Sequence, residues 1–390
     1  MRKMGGRISL VVFIVVLALL ARALDAQTRP YEACAPSQDP ERRDLYVATC
    51  DSREGWKEFM ALRTWNVTGY SIAESAEKTE KVPQGSVPMR NVCKAHRWEG
   101  FLTKPRLYLD WIKELPITSS RGGDNHVILM DSDTFWSATD LQAIWTKYDC
   151  ARGHSGNSGN SGGAGAGKDV LLSTEMSCWV GRYCTAEDIE RYYNNTGDSP
   201  SHSPFLNSGI VMGKIPQVRK MLEYVIANNA SYYIKYFKTK FDDQYAYTDY
   251  AFKVAPQEVA LDYHQQLLAS FSIHAPGEPY EDGWPFACRS ADKEERWGSH
   301  VCPSCPNWTQ LMNKQGYWTF DEDTCMVKRK LWDGMPLAQE LATLAPDPVI
   351  WHGNGAGKKS YYHYSHQAYL CQLKKRQLTQ EHYEANYCCD

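Results

Sequence analysis

The stretch Val127-Ile128-Leu129-Met130-Asp131-Ser132-Asp133 decides the fold. A short unbroken apolar run reads as a strand buried on both faces, as in the centre of a parallel sheet. The carboxyl end of such a strand is where an open α/β sheet builds its ligand crevice, and here that end carries Asp131 and Asp133. On an extended strand a one-residue gap puts both side chains on the same face. At the strand's turn-out both are expected to reach one cation, and oxygen donors of this kind suit magnesium or manganese. A divalent ion so held can grip a nucleotide diphosphate and stabilise it as it leaves. A D-x-D triplet is also a common solvated strand end, so other segments must decide its meaning.

Working outward, the chain alternates strand and helix signals. Leu45–Thr49 reads as a first buried strand, followed by polar Cys50-Asp51-Ser52 and an amphipathic stretch from Trp56 to Trp65, the opening of a βα unit. Lys104–Leu115 places Leu107, Tyr108, Trp111, Ile112 and Leu115 at helical spacing, and Leu141–Tyr148 predicts another short helix. Gly153–Gly167 is almost wholly Gly, Ser, Asn and Ala and predicts a flexible loop, after which Val170-Leu171-Leu172 resumes strand character. In Phe205–Gly213 a polar turn with a glycine breaks into a buried strand, a shape that lets backbone approach a ligand closely. Val218–Asn228 predicts a helix, and Phe241-Asp242-Asp243-Gln244 heads a second one, Tyr245–Lys253, with carboxylates in its first turn. Val259–Tyr263 and Val349–Trp351 complete the strand set, while about 283–340 is cysteine- and charge-rich without a period and reads as an insertion. The expected class is therefore α/β with a mostly parallel central sheet.

The amino terminus carries Arg2, Lys3 and Arg7 ahead of an apolar run from Ile8 to Ala21, with Ala21-Arg22-Ala23 and Ala26 as cleavage candidates. The run is short for a span of about 20 residues. Residues 1–26 are read as a signal peptide or short signal-anchor, with 8–21 as the candidate membrane anchor, and 27–43 as a stem. Either outcome puts the body in the secretory lumen, endoplasmic reticulum or Golgi, signal-anchored or secreted. The 13 cysteines fit an oxidising compartment, and their odd number leaves at least one free or intermolecular. N-x-[ST] acceptors at Asn66, Asn194, Asn229 and Asn307 agree with that placement. Cys302 and Cys305, with Cys288 and Cys325, are arguable zinc ligands, but disulfides are preferred, and Cys388-Cys389 is a candidate staple for a 371–390 tail. A formal net charge of −3 without a basic stripe gives nucleic-acid binding no support.

Near the carboxyl end His352-Gly353-Asn354-Gly355, with Gly357 and Lys358, forms a loop whose backbone N–H groups and lysine can close on an anion. An imidazole is an acceptable third ligand beside two carboxylates for a manganese-like ion. Several segments together resemble the glycosyltransferase domain of the multifunctional lysyl hydroxylases, the procollagen-lysine hydroxylase and glucosyltransferase enzymes. The matching pieces run in the family's order: Val47-Ala48-Thr49, Trp98 before Gly100, the Leu107–Leu115 helix, Ile128–Asp133, Cys178-Trp179, Leu206-Asn207-Ser208-Gly209, Asp242-Asp243-Gln244, Leu261-Asp262, and His352 to Lys358. They span about Leu45 to Lys358.

That resemblance implies a GT-A-type nucleotide-sugar transferase domain over 44–370, a UDP-sugar donor and a bound manganese or magnesium ion. Asp131, Asp133 and His352 would hold the metal; Thr49 and Trp98 would line the nucleoside pocket; Asn354, Gly355 and Lys358 would contact the diphosphate. Asp242 and Asp243 match the family's catalytic acidic pair, and Trp179 and Asn207 its acceptor side. The family's metal aspartates stand three apart, whereas these stand two apart. No dioxygenase domain is expected, because His363 and His366 lack the carboxylate of a facial triad. The expected activity is metal-dependent transfer of a hexose, glucose or galactose, from a UDP-sugar to a hydroxyl acceptor on a protein or glycan, with a hydroxylated protein side chain as the family-level acceptor. The rival readings are a catalytically inactive sugar-nucleotide-binding or lectin-like luminal protein and a disulfide-bonded structural glycoprotein.

Overall fold

A computed structural model describes residues 44–51, 64, 89–94, 96–118, 124–137, 141–153, 168–175, 203, 205–234, 240–271, 318–329, 344–353 and 358–375 of the chain. The strands are β1 (Leu45–Cys50), β2 (Arg90–Asn91), β3 (His126–Asp131), β4 (Thr134–Trp136), β5 (Val170–Glu175), β6 (Phe205–Lys214), β7 (Tyr233–Ile234), β8 (Lys240–Phe241), β9 (Val259–Leu261), β10 (Leu268–Ser270), β11 (Trp318–Asp321), β12 (Met326–Arg329) and β13 (Ile350–His352). The helices are α1 (Thr103–Lys113), α2 (Leu141–Gly153), α3 (Ile215–Ala227), α4 (Asp243–Asp249) and α5 (Lys358–Lys375). The amino-terminal 43 residues, the 154–167 loop, the Trp56–Trp65 stretch apart from Thr64, Cys178-Trp179 and the Cys388-Cys389 pair lie outside the described residues. Among the described residues no helix is long and apolar enough to cross a membrane.

The main sheet has the order β2-β1-β3-β6-β5-β9. Neighbouring strands are parallel except where β6 runs against β3 and β5, so the sheet is mostly parallel, as expected. Its centre is the strand read first. Val127 and Leu129 face one core with Tyr108 and Ile112 of α1 and Val218, Met221 and Leu222 of α3. Ile128 and Met130 face the other with Ile144, Trp145 and Tyr148 of α2. An apolar run without alternation is what a strand covered on both faces requires, because successive side chains enter opposite cores.

The chain departs from an extended path immediately after Asp131. Ser132-Asp133 forms a turn, and β4 then joins a second sheet of order β10-β13-β4. The extended path expected through Asp131-Ser132-Asp133 is therefore not the one adopted: the triplet is the corner between two sheets, pinned where the Thr134 hydroxyl donates to the Asp131 carbonyl at 2.7 Å. This corner has a consequence for the distant end of the chain. β13 pairs antiparallel with β4, placing His352 opposite Thr134, and Gly353 donates its N–H to the Asp133 carbonyl at 2.8 Å.

Other boundaries move as tertiary packing dictates. The helix predicted over Leu141–Tyr148 continues to Gly153. The helix expected over Tyr245–Lys253 is α4 followed by a π turn at Tyr250–Val254. Phe205–Gly213 is not a turn followed by a strand but one long strand whose pairing with β5 slips between Leu172 and Ser173, leaving Ser208–Ile210 looped out from that neighbour. Within the 283–340 stretch, β11 and β12 form an antiparallel hairpin, and a Cys325–Cys371 disulfide ties it to α5, so Cys325 is not a zinc ligand. The helix α5 runs through residue 370 to Lys375. A second disulfide joins Cys50 to Cys93, and Cys150 is disulfide-bonded as well.

Candidate functional site

At the corner between the two sheets, His352 Nε2 faces Asp131 Oδ2 at 3.7 Å, and the histidine is 5 % exposed. The ring's other nitrogen fixes its tautomer. Asn207 Oδ1 accepts the Gly209 N–H at 2.9 Å, so that atom is an acceptor; His352 Nδ1, 3.0 Å away, must be its donor. With Nδ1 protonated, Nε2 presents its lone pair toward a carboxylate oxygen. Two electron-pair donors facing each other call for a cation between them, a divalent ion or a proton. An imidazole N–H anchored on an oxygen is also the usual outer support of a metal-binding histidine.

Local sequence explains this cradle. The bulge at Asn207-Ser208-Gly209 is filled by the Ser173 hydroxyl, which donates to the Asn207 carbonyl at 2.9 Å and approaches the Ile210 carbonyl at 3.2 Å. Over Gly209 the imidazole packs so closely that a Cβ there would lie 2.1 Å from His352 Cε1. The group that closely approaches this backbone is the chain's own histidine, where the sequence predicts a ligand. Asn207 thus sits beneath His352, 3 % exposed, rather than on an open acceptor side.

The other oxygen of Asp131 belongs to Lys104. Its ammonium lies 2.7 Å from Asp131 Oδ1 and 2.5 Å from Asp243 Oδ2, with only 5 % of the residue exposed. Burial pulls the Lys104 pKa down, but the two carboxylates outweigh that and hold it well above the ordinary lysine value. The belt continues from Asp243. Gln244, whose N–H donates to Asp243 Oδ1 at 3.0 Å, passes its side-chain N–H to Glu175 Oε1 at 2.8 Å. Asp131, Lys104, Asp243, Gln244 and Glu175 so connect the carboxyl ends of β3 and β5 through the amino-terminal turns of α1 and α4.

Asp242 caps α4 by accepting the Tyr245 N–H at 2.8 Å. Burial first, and the neighbouring Asp243 second, push its carboxyl up to about 6. Thr49 is fully buried at the end of β1, and its hydroxyl has no hydrogen-bond partner among the described residues. Trp98 is 41 % exposed and stands edge-on to Phe101 at 5.9 Å, on the segment leading into α1. Trp179, Asn354 and Gly355 lie outside the described residues, and of Lys358 only its place at the start of α5 is described.

The structure therefore joins Asp131, His352, Asn207 and Asp243 in one constellation, adjacent to the Asp133 main chain. Among the described residues no three His, Cys, Asp or Glu side chains form a ready metal cage. What the site offers is an imidazole and a carboxylate facing each other at 3.7 Å, a donor pair of the chemical type that manganese-like ions accept. Sequence reasoning missed Lys104 and Glu175. Both left a trace: a lysine in the first turn of a helix opposes the helix dipole and signals a tertiary anion, and Glu175 ends β5 at the sheet edge where Asp131 ends β3.

No protein-family model and no curated protein matches the chain. Among solved structures it is similar to the crystal structure of mouse xyloside xylosyltransferase 1 in its apo form, with 10 % identity, a TM-score of 0.32, and coverage of 80 % of this chain and 98 % of that one. At that depth the likeness defines neither a family nor an activity.

Proposed function

We propose that this chain is a GT-A-type glycosyltransferase that moves a hexose, glucose or galactose, from a UDP-sugar to a hydroxyl acceptor on a protein or glycan, akin to the transferase domain of the multifunctional lysyl hydroxylases. The observation that carries this reading is His352 Nε2 facing Asp131 Oδ2 across 3.7 Å, with the opposite nitrogen anchored on Asn207. Asp131 and His352 would hold manganese or magnesium, with Asp133 beside them. Bound there, the ion would offset the charge of the diphosphate leaving group.

The remaining residues take roles consistent with their chemistry. Lys104 ties Asp131 and Asp243 together through one ammonium, 2.7 Å from the first and 2.5 Å from the second, and so fixes the position of both carboxylates. Asp242, shifted to about 6, is in the range where a carboxylate can accept the proton of an incoming hydroxyl near neutral pH. Lys358 and the Gly353–Gly357 loop supply positive potential for phosphate, and Thr49 and Trp98 take the nucleoside. Disulfides at Cys50–Cys93 and Cys325–Cys371 support residence in the secretory lumen, reached through the amino-terminal signal or anchor.

The test is UDP release from a panel of UDP-sugars, with and without manganese, for the chain and its His352→Ala variant. Metal-dependent release that the variant loses supports the transferase. UDP binding without release in any donor points instead to a sugar-nucleotide-binding protein, and neither binding nor release sinks the reading.

A further inference from the structure

The 283–340 stretch reads in sequence as an insertion without a role, yet it contributes one buried cation that reaches the site's supporting strands. Arg329, at the end of β12, is 7 % exposed. Its guanidinium donates to the Ala345 carbonyl and to Gln265 Oε1, and it stands 5.3 Å over the Trp351 ring. Its own N–H donates to the Pro346 carbonyl at 2.8 Å.

Two routes lead from this guanidinium to His352. The first runs through Trp351, the preceding residue, fully buried and stacked on Phe271 at 4.5 Å; Phe271 in turn donates its N–H to the His352 carbonyl at 3.0 Å. The second runs through Gln265, held at a positive φ of 47°. Gln265 donates to the Thr174 carbonyl at 3.1 Å and to Ser203 Oγ at 2.7 Å. Thr174 pairs with Leu206, the neighbour of Asn207, whose side chain anchors the imidazole.

A rigid five-donor fork suits such bridging, whereas hairpin packing alone would be served as well by a hydrophobe of similar volume. We infer that Arg329 is a positioning residue of the site, clamping Trp351 and Gln265 so that the His352 imidazole is held between Asn207 and Asp131. The hairpin that presents it is in turn anchored to α5 by Cys325–Cys371.

The inference rests on the reading of His352 as a working part of a transferase site, and its test separates the two. The full chain would be compared with Arg329→Met, Arg329→Lys and the hairpin-packing control Val327→Ala, by hydrogen exchange and by UDP affinity in manganese. Arg329→Met should speed exchange in 350–352 and 205–209 while leaving β1 unchanged, and weaken UDP binding about 10-fold. Arg329→Lys keeps the charge, should recover part of that loss, and carries the same readouts should the Met variant fail to fold. Val327→Ala should lower stability without moving either local exchange at His352 or UDP affinity. Unchanged exchange at 350–352 in both Arg329 variants, or the same affinity loss in Val327→Ala, overturns the inference. A wild type that binds no UDP while Arg329→Met still loosens 350–352 overturns the transferase reading and leaves the positioning role standing.

Discussion

His352 and Asp131, far apart in sequence, face each other across 3.7 Å with two electron-pair donors pointed at one spot. Removing the imidazole should abolish the cation requirement of that spot. His352→Ala is expected to lower manganese-dependent UDP affinity by roughly 100-fold or more, while Asn207→Leu, which frees the ring's tautomer, costs roughly 10–100-fold. Isothermal titration with UDP and manganese measures both. Variants that bind like the parent would show that the ring and the carboxylate do not share an ion.

Gly209 makes a sharper structural test because nothing but its missing Cβ admits the imidazole. A methyl there meets ring atoms 2.1–2.7 Å away, so the ring must leave the cradle. Gly209→Ala should destabilise the fold by about 1–3 kcal/mol through overpacking. Donor hydrolysis should fall far more than that loss explains, because the displaced ring no longer addresses Asp131. A urea melt beside a UDP-release assay resolves the two effects; full activity in a folded Gly209→Ala protein would contradict the geometry.

Much of this architecture is legible in the amino-acid sequence, and the parts that are not share a cause. Strand β3 and its two-sided burial follow from an apolar run without alternation. The convergence of Asp131 with His352 is readable only as a motif resemblance, since it depends on β13 pairing with β4. The turn at Ser132-Asp133 is hidden because D-x-D reads equally well as extended or turned. Lys104 escapes notice because its helix is defined by its apolar face, and its partners come from two other segments. Arg329 lies in a stretch with no period at all, so only tertiary packing reveals what it touches.

Lys104 bridges two of the site's carboxylates. Its ammonium is buried between Asp131 and Asp243, and Lys104→Met would leave the Asp243 carboxylate without its counter-charge. Breaking one side of a buried pair costs about 3–5 kcal/mol. Lys104→Met combined with Asp243→Asn should recover part of that loss, because the more buried of the two stranded carboxylates is then neutral while Asp131 keeps its charge. A double-mutant cycle in urea reads the coupling, and strictly additive losses would mean that the two groups do not depend on each other.

The acidic cap of α4 gives a pH dependence with a definite sign. In the folded chain Asp242 titrates at about 6, above its ordinary carboxyl value of 3.8, because burial and Asp243 disfavour its charge. The folded state therefore holds this proton more tightly than the unfolded state does. The resulting stabilisation is complete below about pH 4 and is lost as pH rises through about 6. Asp242→Asn keeps an oxygen to accept the Tyr245 N–H but cannot ionise. Relative to that variant, the parent should lose on the order of 3 kcal/mol of unfolding free energy between pH 4 and pH 7. Urea unfolding of both proteins across that window measures the difference. Parallel pH profiles would show that Asp242 is solvated in solution and would remove it as the candidate proton acceptor.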